Sequence, residues 1–390
     1  MPPSIVEDAQ QPVDGAELIG PSSESTMLEH DLLLLRRITS ISVIVALIAA
    51  TWWSVSWYLN AAESGLFGPP SSLVNAEEDY DEMVQLNNVG NLEGKGVNVC
   101  IVDSGIDAGH REFINTDFGS WKDFVNGKAE PYDDHGHGTM MAGILVADTE
   151  FKGVAPSVTL HVAKALDSDG NGTGTRVAEA IDWCVGEQSD VISLSLGGAP
   201  GIIPSQFSGD ETATAVNNAI AQGVFVIAAA GNDGGEETDD DVEAPCNERD
   251  VICVGGVDKD GDSWRYSSRG DNNGRLNPPL FPRFNPDKKP EVVAPAEDVP
   301  VALPGNSWGT ASGTSAATVY LTGAISLLLE GRKDMQREGS AGGEDAIRSV
   351  KEWIMDSSKP KNGQSEHDDR YGYGMLQTRA FLDLAGVSID

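Results

Sequence analysis

From about residue 96 onward, short runs of β-branched residues alternate with longer segments spaced like amphipathic helices. GVNVCIV (96–102) ends at Asp103, and SVTLHVAKA (157–165) precedes a glycine-rich loop. RVAEAIDWCV (176–185) has helical spacing and leads into the apolar run DVISLSL (190–196). TATAVNNAIAQG (212–223) reads as a helix stopped by Gly223, with VFVIAAA (224–230) as the next strand. Strands buried on both faces read as continuous apolar runs. Their alternation with helices predicts an α/β fold with a doubly wound, mainly parallel sheet and helices on both faces. Sites in such sheets form beyond the carboxyl ends of the strands. Asp103 and the pair Gly231-Asn232 fall at such ends. No internal repeat is visible.

A second pattern lies near the start. Residues 38–59, ITSISVIVALIAATWWSVSWYL, contain no charged side chain. As a helix they would span about 33 Å, close to the roughly 30 Å hydrocarbon core of a bilayer. Arg36 and Arg37 precede the run, and no Lys or Arg follows until Lys95. The positive-inside rule puts the N-terminus in the cytoplasm and the rest outside. Trp52, Trp53, Trp57 and Tyr58 would then lie toward the outer interface. A buried core helix and a cleaved export signal with twin arginines are the alternatives, the latter giving a secreted protein. The bulky aromatic end is a poor cleavage context and favours an uncleaved transmembrane signal anchor. The predicted organisation is an acidic, largely disordered cytoplasmic tail (1–37), a transmembrane helix (38–59), a linker with turn signals (60–82) and one folded domain (83–390).

Composition narrows the function. Of 390 residues, 61 are Asp or Glu and 26 Lys or Arg, a formal charge of −35. Nucleic acid held on a basic face is excluded, because phosphate binding needs clustered cations. A salt-adapted source, an acidic compartment or compositional bias would each explain the charge. Four Cys are too few for a disulfide-built scaffold.

Only six His occur, and the informative one lies in DDHGHGTMMAGI (133–144). The Gly-Thr step after His137 suits a helix start with the imidazole at its N-terminal end. Further on, GTASGTSAATVYLTGAISLLLE (309–330) opens with small residues and becomes an apolar helix. Ser315 at that junction would have backbone N–H groups nearby to receive developing negative charge. A hydroxyl becomes a good nucleophile when an imidazole takes its proton and a carboxylate orients the imidazole. Asp103, His137 and Ser315 supply these groups.

These segments give the chain a specific resemblance to the subtilisin-like serine proteases over residues 83–390. GKGVNVCIVDSGID, HGTMMAG and GTSAAT surround the three residues, with DVISLSLGG (190–198) and AAAGNDGG (228–235) between them. RYGYGMLQTRAFLDLA (370–385) resembles the family's final helix. The resemblance implies that Asp103 orients His137, that His137 acts as base and then acid, and that Ser315 attacks the scissile carbonyl. It implies an oxyanion hole from Asn232 and the Ser315 N–H. It also implies substrate-pairing edges at Gly170-Asn171-Gly172 and Ser195-Leu196-Gly197, and a pocket floor at Glu243 that would favour Lys or Arg before the cut bond. The partner is then a polypeptide substrate, and 83–390 is the catalytic domain. No cofactor is needed for the chemistry, and structural calcium is left open. Ala316 and Val319 depart from the family's usual Met and Pro. The segment 139–153 is shorter than the calcium loop of secreted members, and Glu112 stands where they place a calcium-binding carboxylate. No folded inhibitory propeptide of the family's usual size is expected before residue 83.

Other residues have plainer readings. A His135–His137 metal pair lacks a nearby third ligand, so His135 is expected in a solvated loop or lining the cleft. His110 and His161 are expected to be structural. Cys100 and Cys184 are expected as buried thiols, and Cys246 with Cys253 either as a disulfide or not. The run 236–243 is expected to be a solvated acidic loop, with calcium binding as its alternative, and Arg269-Gly270-Asp271 to be coincidental. A catalytically silent relative that binds peptides is the competing functional reading.

Overall fold

The structure, a computed structural model, describes residues 23–63, 68–196, 210–235, 241–270 and 283–389. By its internal contacts the chain divides into two units, residues 1–61 and 62–390. In the first, helix α1 (Ser23–Glu63) runs for 41 residues. Its stretch His30–Trp57 is long and apolar enough to cross a membrane. The hydroxyls of Thr39, Ser42 and Thr51 donate to carbonyls one turn back, at 2.7–2.9 Å, so these polar groups do not oppose apolar surroundings. The helix extends beyond the expected span 38–59 at both ends. It takes in residues 23–37 of the expected disordered tail, because the run LLLL (32–35) continues the helical apolar pattern across Arg36 and Arg37.

The second unit begins with another departure. The expected linker holds helix α2 (Ser71–Met83). Leu73 and Val74 pack against Ala147, Phe151 and Trp308, and buried Tyr80 donates its hydroxyl to the Glu297 carbonyl. Turn signals are confined to the residues just before the helix, and the apolar contacts lie in distant sequence.

Seven parallel strands follow: β1 (Asn98–Asp103), β2 (Asp117–Asp123), β3 (Thr159–Lys164), β4 (Val191–Leu194), β5 (Phe225–Ala229), β6 (Ile252–Val257) and β7 (Val292–Pro295). Their order is β2-β3-β1-β4-β5-β6-β7, so the winding reverses beside β1. A crevice opens at such a reversal, past the carboxyl ends of the strands. β4 to β7 are buried throughout, which explains their continuous apolar runs. An antiparallel hairpin, β8 (Val299–Leu303) with β9 (Ser307–Ala311), packs on helix α3 (His137–Val146). Helices α4 (Gly174–Gly186) and α5 (Asp210–Ala221) pack together. Helix α6 (Thr314–Gly331) crosses β4 to β7 and meets α3; every side chain from Thr314 to Leu329 is buried. Helices α7 (Glu344–Ser357) and α8 (Thr378–Leu384) close the chain.

Both cysteine pairs are disulfides. Cys246 joins Cys253, and Cys100 joins Cys184, tying β1 to α4. The second bond corrects the expectation of buried thiols. Eighty-four residues separate the partners in sequence, but their Cα atoms lie 5.8 Å apart, within bridging range.

Candidate active site

β1 delivers Asp103, fully buried, to the carboxyl edge of the sheet. The Ser104 N–H donates to its Oδ1 at 2.6 Å. His137 is the first residue of α3, and its Nδ1 lies 2.8 and 2.9 Å from the two carboxylate oxygens of Asp103. This contact fixes the Nδ1–H tautomer and leaves Nε2 as the basic nitrogen. The approach depends on glycine: a Cβ on Gly138 would stand 2.1 Å from the Gly105 carbonyl oxygen. Burial disfavours the imidazolium, but the charge of Asp103, its hydrogen bond and the charge of Asp133 more than offset it. The net shift of His137 is upward from its ordinary value.

Ser315 is the second residue of α6, where backbone N–H groups have no helical acceptor. Its Oγ donates to the Ser195 carbonyl at 3.1 Å, and Ser195 Oγ donates to the Ser315 carbonyl at 3.2 Å. β4 pairs with β1 up to Ile101↔Ser193, and Ser195 is the residue that follows β4. Asp103 and His137 thus meet at the carboxyl edge of β1, and Ser315 is bonded to the residue following β4, the strand beside β1. No hydrogen bond joins Ser315 to His137; the hydroxyl is turned toward β4.

Asn232 follows β5 and is buried. Its Oδ1 accepts from the Thr314 N–H at 2.9 Å and from Thr314 Oγ1 at 3.0 Å, so Nδ2 is the end able to donate elsewhere. Thr314 escaped the sequence reading, although it stands inside GTSAAT. Asp133 also escaped it. Its Oδ1 accepts from Ser104 Oγ, Gly136 N–H and His135 N–H at 2.9, 2.7 and 3.2 Å. Its Oδ2 accepts from the Thr139 N–H and hydroxyl at 2.8 and 2.7 Å. Burial would raise its pKa, yet these donors hold it below the ordinary carboxylate value. Its signal was the acidic pair just upstream of a helix start.

The other expected residues fall as follows. Gly170, with a φ of 77°, closes a turn by donating its N–H to the Asp167 carbonyl at 3.0 Å, and Asn171 and Gly172 follow it, the Asn171 N–H donating to Asp167 Oδ1 at 2.9 Å. Ser195 and Leu196 follow β4, whereas Gly197 lies outside the described residues. Glu243 is half-buried, with its Cγ 3.5 Å from where a Cβ on Gly231 would stand, which sets the side chain beside the Gly231-Asn232 step. Glu112 is fully buried: Oε1 accepts from Trp308 Nε1 at 2.7 Å, and Oε2 from Thr149 Oγ1 and the Glu150 N–H at 2.8 and 3.1 Å. Protein donors occupy the carboxylate that the resemblance suggested for calcium. Among the described residues no group of three or more His, Cys, Asp or Glu is disposed to hold a metal ion. His135 is half-buried, its ring 6.3 Å from that of His137. His110 accepts the Glu112 N–H at Nδ1 and meets the Ser307 carbonyl at Nε2, while His161 Nδ1 accepts the Ser120 N–H. Most of the acidic run 236–243, and Asp271, lie outside the described residues.

A doubly wound sheet carrying an Asp–His pair opposite a serine at a helix N-terminus defines a subtilisin-like α/β protein. The Subtilase family model matches residues 94–374, and the chain belongs to that family. It is 33% identical over 240 residues to subtilisin E of Bacillus subtilis (strain 168), covering 60% of this chain and 56% of that protein. The chain thus spans little more than half the length of that relative. To subtilisin DY of Bacillus licheniformis it is 34% identical over 240 residues, covering 61% of this chain and 78% of the relative. Among solved structures it is similar to a cold-adapted subtilisin-like serine proteinase, at 25% identity and a TM-score of 0.58, over 74% of this chain and 91% of that one. The protease domain of PatA shares the fold at 23% identity and a TM-score of 0.59, over 77% and 100% of the two chains.

Proposed function

We propose that this protein is a serine endopeptidase that cleaves polypeptides through Asp103, His137 and Ser315, held on the outer face of a membrane by α1. The observation carrying the chemistry is the Asp103–His137 pair, which leaves a basic Nε2 on the edge where α6 presents Ser315. A side-chain rotation carries the Ser315 hydroxyl from the Ser195 carbonyl toward that nitrogen. His137 then takes the proton as Ser315 Oγ attacks the scissile carbonyl, and the oxyanion receives donors from Asn232 Nδ2 and the Ser315 N–H. His137 returns the proton to the leaving amine, and water hydrolyses the acyl-enzyme by the same relay. Substrate would pair as an added strand with Gly170–Gly172 and Ser195–Gly197. Glu243 beside Gly231 would favour Lys or Arg before the cut bond.

One observation favours the silent, peptide-binding reading: Ser315 Oγ is bonded to Ser195 and not to His137. Labelling the full chain in detergent with a fluorophosphonate separates the two. A serine peptidase labels at Ser315 and loses the label in Ser315→Ala; an unlabelled wild type overturns the hydrolytic reading.

The anchor rests on the apolar stretch of α1 preceded by Arg36 and Arg37, and the outward placement on those arginines. Two disulfides in the second unit agree with an oxidising compartment. A released enzyme would leave the membrane pellet on carbonate washing, and an anchored one would stay.

A further inference from the structure

From the polar brace between β1 and α3, we infer that Asp133 is a positioning residue for His137 whose charge also adds to that of Asp103 in raising the pH at which the imidazole becomes a base. The inference rests on the hydrolytic reading of the site. Asp133 receives five donors from three places. Ser104 Oγ comes from the residue following Asp103, the His135 and Gly136 N–H groups from its own loop, and the Thr139 N–H and hydroxyl from the first turn of α3. Ser104 closes the circuit: its N–H holds Asp103 Oδ1, and its hydroxyl oxygen accepts the Gly138 N–H at 2.9 Å. One carboxylate therefore ties the orienting acid to the helix that carries the base. Gly105 and Asp133 also form an isolated β-bridge, so backbone and side chain agree on this docking.

The same carboxylate carries charge. The groups acting on the imidazole are Asp103 from β1 and Asp133 from the loop before α3, with the His135 ring 6.3 Å away; Asp134 of that loop and Lys164 of β3 pair with each other. The Lys164 ammonium is spent on Asp134 at 2.6 Å and on the Ser104 and Leu166 carbonyls. Asp133 is thus a second acid behind His137 whose named partners are hydrogen-bond donors without formal charge. A nearby negative charge favours the imidazolium, and the upward shift of His137 has the charge of Asp133 among its causes, after Asp103.

The test measures the rate of fluorophosphonate labelling of the full chain across pH 4–9. Labelling needs neutral His137, so the rate rises with pH and its midpoint reports the imidazole. Asp133→Asn should lower the midpoint by about half to one pH unit and the plateau rate by about tenfold. Ser104→Ala keeps the charge and breaks the brace, so its plateau should fall with the midpoint unmoved. Asp133→Glu serves if Asp133→Asn does not fold: its midpoint should stay at the wild-type value while its plateau falls. A simple helix cap would cost stability and leave the midpoint alone. An unmoved midpoint in Asp133→Asn, or a lowered one in Asp133→Glu, overturns the inference. A wild type that labels at no pH sinks the hydrolytic reading itself, and that outcome is distinct.

Discussion

Ser315 and Ser195 exchange hydrogen bonds, each hydroxyl donating to the other's carbonyl at 3.1 and 3.2 Å. The pair bolts the start of α6 to the end of β4. It also parks the nucleophile candidate on a main-chain oxygen that any residue at position 195 would supply. Ser195→Ala therefore removes one bond of the two and leaves the resting partner of Ser315 in place. Denaturant unfolding of the full chain in detergent should show a loss of about 1 kcal/mol. Fluorophosphonate labelling should stay within about threefold of wild type, since a change of about 0.6 kcal/mol in a barrier is less than threefold in rate. A hundredfold loss would mean that the Ser195 hydroxyl itself takes part.

Asn232 is aimed by Thr314, whose N–H and hydroxyl both hold the amide oxygen. Two variants grade the effect. Asn232→Ala deletes the donor and should lower kcat by about 100- to 1,000-fold with little change in KM. Thr314→Val deletes one of the two aiming bonds and should cost about tenfold, because the N–H contact survives. A raised KM with kcat unchanged for Asn232→Ala would place the amide in ground-state binding. A Thr314→Val variant as active as wild type would show that the N–H contact alone aims the amide.

The parallel sheet was legible in the sequence because β1, β4 and β5 are buried on both faces and write continuous apolar runs. Edge strand β2 was missed: DFGSWKD is mostly exposed and has no run to read. Helix α2 was missed because its packing partners, Phe151 and Trp308, lie far along the chain. Asp103, His137 and Ser315 could be named from motif spacing. The supporting layer of Ser104, Asp133 and Thr314 could not, since a polar residue's partners are set by the docking of α3 and α6. The Cys100–Cys184 bond shows the same limit, because sequence reports spacing and not proximity. Glu112 shows the converse: position suggested a calcium ligand, and three-dimensional packing supplied protein donors.

Glu77 and Asp81 on α2 are acids in the wrong surroundings for a charge. Burial, then the charge of Asp81, pushes Glu77 up to about 8, against the Lys152 N–H that donates to it; Glu112 and Glu78 add to the rise. Burial pushes Asp81 up to about 7, with Lys152 opposing and Glu78 assisting. Both acids bind protons more tightly when α2 is docked. Their contribution to docking is complete below the ordinary carboxylate range and is lost as pH rises through about 7 to 8. Hydrogen exchange over residues 71–83, corrected for intrinsic rates, should therefore show stronger protection at pH 6 than at pH 9. Glu77→Gln with Asp81→Asn should remove the difference. A pH difference that survives the double substitution would assign it to other groups.

Glu243 gives the proposed pocket its sign. The Glu243 Cγ lies 3.5 Å from where a Cβ on Gly231 would stand, one residue before Asn232, so under the proposed function a residue entering beside Asn232 would meet its carboxylate. A hydrogen bond to a charged group in such a site contributes about 1.5–3 kcal/mol, or roughly 10- to 100-fold in rate. Peptides that differ only in the residue before the cut bond should be cleaved with kcat/KM higher for Lys and Arg than for Leu or Met by that factor. Glu243→Gln should flatten the ratio while leaving cleavage of the Leu peptide within about threefold of wild type. Raised salt should weaken the preference only slightly, because a pair removed from solvent is screened less than a surface pair. Equal rates for Lys and Leu peptides in the wild type would mean that Glu243 does not meet the residue before the cut bond.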